Sequence, residues 1–209
     1  MEDVLDVYAR AHDPDVPLVC LDEFCQQLIA EVRDPEPCLP GMAAKQDYEY
    51  ERRGVCSGFM LYSPLEHTRA VQLTGTRTAK DYAATIKWLC DELYPAARKI
   101  VLVQDNLNTH TPASLYEAFT PEEASRLKAR IQWHYTPKHG SWLNMAEIEI
   151  GVLLRQCLNR RISSKAEMAA QSEAWATQRN RHQCGTDWRF STQDARIKLK
   201  RLYPAALMV

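Results

Sequence analysis

The 209-residue chain predicts an α/β protein built on a mixed sheet. Two observations carry that expectation. Segments with strand character come first, three in a row, and then helix-period and strand-period segments alternate. The run KIVLVQD (99–105), rich in Val and Ile, is the most convincing strand. The 45% hydrophobic and 25% charged content is that of an ordinary globular protein. Without repeats, low-complexity tracts or a flexible linker, residues 1–209 are expected to form a single domain.

Taken in order, residues 1–16 begin as a helix and break at Asp13-Pro14. PLVCLDEF (17–24) is a short apolar run closed by two acids and reads as a buried strand. Residues 33–49, with Pro35, Pro37, Pro40 and Gly41, are a loop. GVCSGFMLYSP (54–64) and RAVQLTG (69–75) are two strands of a meander or hairpin. Thr78 is placed to cap a helix through 79–95, where Tyr82, Ile86, Leu89 and Leu93 recur at helical spacing. After the 99–105 strand, ASLYEAF and PEEASRLKAR are helical, the second with Pro121 at its first position. IQWHYTP (131–137) is a further strand. A long amphipathic helix is expected from about Trp142 to Arg161, and another over 165–181.

No stretch approaches the ~20 apolar residues of a membrane helix, and the start, MEDVLDVYAR, is acidic and unlike a signal peptide. Seven cysteines are scattered without a CxxC pair, which suggests buried free thiols in a reducing, cytoplasmic compartment. The net charge of −1 hides an asymmetry: residues 1–125 hold 11 Lys and Arg against 21 Asp and Glu, and residues 126–209 hold 15 against 6. That split fits a basic face for a polyanion, or two halves that attract each other within one fold.

Three acids stand where an apolar run ends or a helix faces the core. Asp22 is expected at the end of the first strand and Asp105 at the end of the fourth; if these strands are neighbours, the two carboxylates converge. In SWLNMAEIEIGVLLRQCLNR, Leu143, Ala146, Ile150, Leu153, Leu154 and Cys157 form an apolar stripe. Glu147 falls at its margin, whereas Glu149 points about 100° from its centre. Trp142 and Leu143 are expected to anchor the helix start on the core. Acids at strand ends also bond loop amides or cap helices. Three converging without cations repel one another, however, unless a metal joins them. Hard oxygen ligands suit Mg²⁺ or Mn²⁺, and two such ions support phosphoryl transfer.

The motifs VCLDEF (19–24), VLVQDNLNTH (101–110) and HYTPKHGSWLNMAEIEI (134–150), in that order, resemble the catalytic domain of DDE transposases of the mariner superfamily. Its bacterial insertion-sequence branch, also described as DDE superfamily endonucleases, is the nearest match. YEYERRG (48–54) and DWRFSTQDARIKLKRLYP (187–204) extend the resemblance over almost the whole chain. It implies an RNase H-like fold, a five-stranded mixed sheet flanked by helices. It also implies Asp22, Asp105 and Glu147 as catalytic residues and ligands of two Mg²⁺ or Mn²⁺ ions. The reaction implied is cleavage of double-stranded DNA at transposon ends, followed by strand transfer into target DNA. The family's helix-turn-helix region has no place in the sixteen residues before the first strand, so end recognition is expected from a separate chain. A fragment, a split-frame product and a decayed copy all fit that pattern.

Asn106, His110 and His139 are expected in supporting roles around the acids. Lys138, Arg155, Arg160 and Arg161 are the expected phosphate contacts. Glu23 should point to the face opposite Asp22. Trp133, Trp142, Trp175 and Trp188 read as core or interface residues. Met145, Ile148 and Val152 lie off the stripe, where a second core or a homodimer contact would place them. A structure-selective nuclease on the same fold and an idle DNA-binding remnant are the alternative functions. A bacterial, nucleoid-associated location goes with all three.

Overall fold

The computed structural model describes residues 1–203. Residues 204–209, the end of the expected domain, and with them Pro204 of the last motif, lie outside it. Five strands form one sheet in the order β3-β2-β1-β4-β5. They are β1 (Leu18–Glu31), β2 (Tyr50–Ser63), β3 (Thr68–Thr74), β4 (Ile100–Gln104) and β5 (Ile131–Tyr135). The first three are antiparallel, and β4 and β5 run parallel to β1. This is the expected mixed sheet. The inner strand β4, between β1 and β5, is buried at all five positions, which explains why its sequence does not alternate.

Helices cover both faces. On one side, Val19, Leu21, Ile100 and Leu102 pack under α2 (Ala79–Trp88), α3 (Ala113–Ala118) and α4 (Pro121–Arg130). On the other, Leu18, Cys20, Phe24, Val101 and Val103 pack under α5 (Met145–Gln156) and α6 (Lys165–Arg181), with α1 (Glu2–Tyr8) and α7 (Thr192–Lys198) beside them. Alternation along a strand therefore sends adjacent residues into different cores.

Local signals account for most boundaries. Thr78 caps α2 in a reciprocal box with Asp81. Thr120 caps α4 with Pro121 at its first position, and Ser164 caps α6. The expected helix over 79–95 is α2 followed by a π turn, Leu89–Leu93, whose end Arg130 closes by donating to the carbonyls of Cys90, Tyr94 and Ala97.

Four expectations need correction. β1 does not stop at the acids but continues to Glu31, paired with β2 as a ribbon, so Asp22 is a mid-strand residue. Cross-strand pairing holds the polar stretch Cys25–Gln27 extended where the hydrophobic run alone ends. The helix expected from Trp142 to Arg161 is shorter: a 3-10 turn (Ser141–Leu143) precedes α5, which ends at Gln156. Trp142 does not anchor the core; it is 43% exposed and stacks on Trp188, while Leu143 is fully buried. All seven cysteines are free, yet Cys25 and Cys38 are exposed instead of buried.

Candidate acidic active site

Register brings Asp22 and Asp105 level. The last parallel pair between β1 and β4 is Cys20 with Val103, and each acid lies two residues further along its strand. With a side-chain period of two, both carboxylates leave on the face that α5 covers. Asn144 then ties that helix to the strand. Its Oδ1 accepts from the Ala146 amide at 3.1 Å, capping α5. Its Nδ2 donates to the Leu21 carbonyl at 2.8 Å and to Asp22 Oδ2 at 3.2 Å. One fully buried amide thus fixes where the helix starts relative to Asp22. Glu147 follows in the first turn, exposed and free of any side-chain partner among the described residues.

The electrostatics show the acids as neighbours. Burial pushes the Asp22 carboxyl up to about 7. The charges of Asp105 and Glu147 add to that rise, while the Glu23 amide at 2.8 Å and His110 oppose it. Such crowding is what a cation would relieve, and the donors are hard oxygens of the kind Mg²⁺ and Mn²⁺ prefer. The donor set fits the ions. Among the described residues, though, no three His, Cys, Asp or Glu side chains are gathered closely enough to hold a metal ion, so the acids are not a closed cage.

Asp105 is held from the other side of the sheet. His110, fully buried and stacked on Tyr82, places Nδ1 2.5 Å from Asp105 Oδ1 and Nε2 2.8 Å from Glu23 Oε2. The second contact is an ion pair off the line of a hydrogen bond. Burial pulls the imidazole down, but the carboxylates of Asp105 and Glu23 against it outweigh that and raise it to about 9. In turn, although burial opposes it, the His110 contact holds the Asp105 carboxyl below its ordinary range. Gln104 positions the turn, donating to the His110 carbonyl at 2.7 Å and accepting from Tyr82 at 2.7 Å. Asp105 Oδ1 also accepts from the Leu107 amide. His110 therefore supports Asp105, whereas Asn106 is exposed and its amide makes no bond among the described residues.

The helix-face expectation for the two glutamates is overturned. Glu149 is the buried one, 1% exposed, and Glu147 faces out. The buried arc of α5 runs about 140° from Met145 through Glu149 and Leu153 to Ile150, and Glu147 lies about 60° beyond Ile150. The apolar stripe misplaced that arc because Met145 packs inward and because Glu149 has partners far away in sequence. Arg69 of β3, with no side-chain exposure, sits 3.0 Å from Glu149 Oε2, and Arg179 of α6 donates to Oε1 at 3.2 Å. Asn180 accepts from the Arg69 amide and guanidinium, and the Cys184 carbonyl accepts from that guanidinium too. Glu149 thus clamps α5, α6 and β3 together, and Glu147 remains the acid near Asp22.

The remaining residues divide. His139 and Lys138 are exposed in the loop after β5, at the same end of the sheet as Asp105, with His139 in a left-handed backbone (φ 62°). Arg155 and Arg160 are exposed. Arg161 is no free phosphate contact: it pairs with Glu31 and donates to the carbonyls of Asp47 and Glu49, stapling the 33–49 loop to β1. Two contributors escaped the sequence reading. Asn144 carries an N-cap signal, which was obscured by starting the helix at Trp142. Glu23 was set aside for facing away from Asp22, and that is how it meets His110.

The architecture is the α/β, RNase H-like fold, a mixed five-stranded sheet with helices on both faces and an acidic centre at one end of it. Residues 17–169 match the family model described as DDE superfamily endonuclease, and the chain belongs to that family. Three similar solved structures share the fold. The Mos1 mariner paired-end complex with Mn aligns with a TM-score of 0.56 and 13% identity, covering 86% of this chain and 54% of the other. The Mos1 transposase paired-end complex with the left transposon end gives 0.53 and 16%, covering 83% and 51%. The Mos1 strand transfer complex gives 0.51 and 17%, covering 83% and 50%. The chain thus spans about half the length of the structures it matches. No curated protein matches it. Among the described residues, no helix is long and apolar enough to cross a membrane.

Proposed function

We propose that the chain is a transposase catalytic domain that cuts double-stranded DNA at insertion-sequence ends and joins the freed 3′-hydroxyl to target DNA. Asp22, Asp105 and Glu147 would hold two divalent ions, Mg²⁺ or Mn²⁺, in a bacterial cytoplasm where the DNA is at hand. The observation that carries this reading is the level placement of Asp22 and Asp105 on neighbouring parallel strands, with Glu147 within their electrostatic reach. Family membership and the likeness to transposase structures solved with DNA, one of them with manganese, support it. When bound, such ions activate an attacking oxygen and stabilise a leaving one.

The chain's own groups would prepare the site. Asn144 holds Asp22 Oδ2 against the start of α5. His110, charged at neutral pH, occupies Asp105 Oδ1, and Oδ2 has no protein partner among the described residues. Each acid is thereby oriented by a group that is not itself a ligand, as supporting residues orient metal ligands elsewhere.

The test is cleavage and joining with Mn²⁺ on duplexes carrying the inverted repeat. Asp22→Asn, Asp105→Asn and Glu147→Gln should each slow cleavage on the order of 100-fold or more, given the several kcal/mol a catalytic metal contributes. Calorimetric Mn²⁺ titration should show weaker binding by Asp105→Asn. Full cleavage by Asp105→Asn would refute the reading, and cleavage without joining would reduce it to a nuclease.

A further inference from the structure

Beyond the C-terminal end of α5, a groove of about 340 Å³ opens between that helix and α6. Arg155 and Arg160 stand on one bank, with Asn159 beside them, and Gln171 and Gln178 on the other. Gln171, Ala174 and Gln178 share one face of α6 by helical spacing. Trp175 forms the wall between, its Nε1 donating to Gln156 at 3.1 Å. No carboxylate lines the groove. Neither arginine pairs with an acid among the described residues; Arg160 donates only to Gln171. Arg126, Arg161, Arg179 and Arg196 on the same half of the chain are paired with acids, whereas Arg155 and Arg160 stand together in one groove without such a partner.

Two guanidiniums without an acid partner, set among side-chain amides, make a surface of donors with no negative charge. Such a surface suits phosphodiester oxygens, which accept from Arg, Asn and Gln without regard to base sequence. Its place along the helix gives it a register. Arg155 lies eight residues after Glu147, about 12 Å along the axis. That length corresponds to about three or four base pairs of duplex. We infer that this groove holds the DNA backbone some three or four base pairs from the scissile phosphate, as a docking site separate from the acids. The inference rests on the reading of the chain as a DNA-processing domain.

Fluorescence anisotropy of a labelled duplex of arbitrary sequence, in EDTA across a salt series, tests it. R155Q/R160Q should flatten the dependence of log K on log salt by about 1.8, since each lost phosphate contact removes about 0.9. R98Q/K99Q removes the same charge at the opposite end of β4 and should leave the slope as in the wild type. Thermal melts of both variants confirm folding, the altered side chains being exposed. Equal slopes for R155Q/R160Q and wild type overturn the groove as a DNA contact. If Mn²⁺ still titrates the acids with normal affinity, the functional reading survives that result. Failure of wild type to bind both DNA and Mn²⁺ removes the reading and the groove together.

Discussion

Two glutamates two residues apart on α5 separate chemistry from stability. Glu147 is exposed and unpartnered, so Glu147→Gln should leave the unfolding free energy within about 0.5 kcal/mol while abolishing cleavage. Glu149 is buried between Arg69 and Arg179, and Glu149→Gln leaves two cations short of their acid. It should cost about 3 kcal/mol in urea unfolding at neutral pH. If Glu149→Gln proves neutral and Glu147→Gln destabilises, the assignment of the two faces is wrong. The sequence made the motif acid legible but not the reason for its neighbour. A hydrophobicity stripe scores Glu149 as out of place, because the guanidinium that neutralises it lies 80 positions earlier.

At the scale of elements, Asn144 joins a cap to a tether, and two substitutions separate them. Asn144→Asp keeps an acceptor for the Ala146 amide but loses the donor to Leu21 and sets a charge beside Asp22. Asn144→Ala loses both and should cost about 1–2 kcal/mol. Asn144→Asp should weaken Mg²⁺-free folding as much while binding Mn²⁺ more tightly than Asn144→Ala; equal Mn²⁺ isotherms would deny the tether. A second junction predicts a pH effect. Arg126 of α4 bonds Asp91 of the π turn and Glu123, and those bonds hold both carboxyls down at about 2. Depressed folded values mean stability present above the unfolded carboxyl range and lost as pH falls through 2. Between pH 4 and 2 the wild type should lose its advantage over Arg126→Gln, a modest one that salt also erodes because the side chains are partly exposed. A gap between their melting curves that stays constant down to pH 2 would contradict this. Caps, periodicity and β-branched runs made nearly every element readable in advance. The exceptions include α7, which the sequence reading did not call, and the continuation of β1, set by cross-strand pairing that no local window contains; the turn before α5 is set by the cap at Asn144.

For the whole molecule, part of the charge split between the two halves of the sequence is satisfied within the fold. Glu2 pairs with Arg196, Glu31 with Arg161, and Asp91 with Arg126 and Arg130, each joining the acidic half to the basic one. Near the active end stand the three acids, Glu147 exposed and Asp22 and Asp105 half-buried, so DNA should bind weakly and salt-sensitively until they are neutralised. Gel shifts with Ca²⁺ should therefore show tighter binding than with EDTA, and Asp105→Asn should shrink that difference. Binding indifferent to Ca²⁺ in the wild type would count against the acids facing the DNA. One further consequence follows from the sheet's register. Asp22 and Glu23 serve opposite faces, so a single-residue insertion between Leu18 and Leu21 would exchange their destinations. The ribbon beyond is buffered: Gln27 pairs with Val55 but Ile29 with Arg52, an extra residue on β2 absorbed at Gly54, whose φ of 90° a glycine adopts freely. Gene-length variation among relatives should accordingly collect at positions 32–54, and single-codon insertions or losses there should leave the chain folded in a thermal melt. The same event a few residues earlier turns the strand's chemistry inside out.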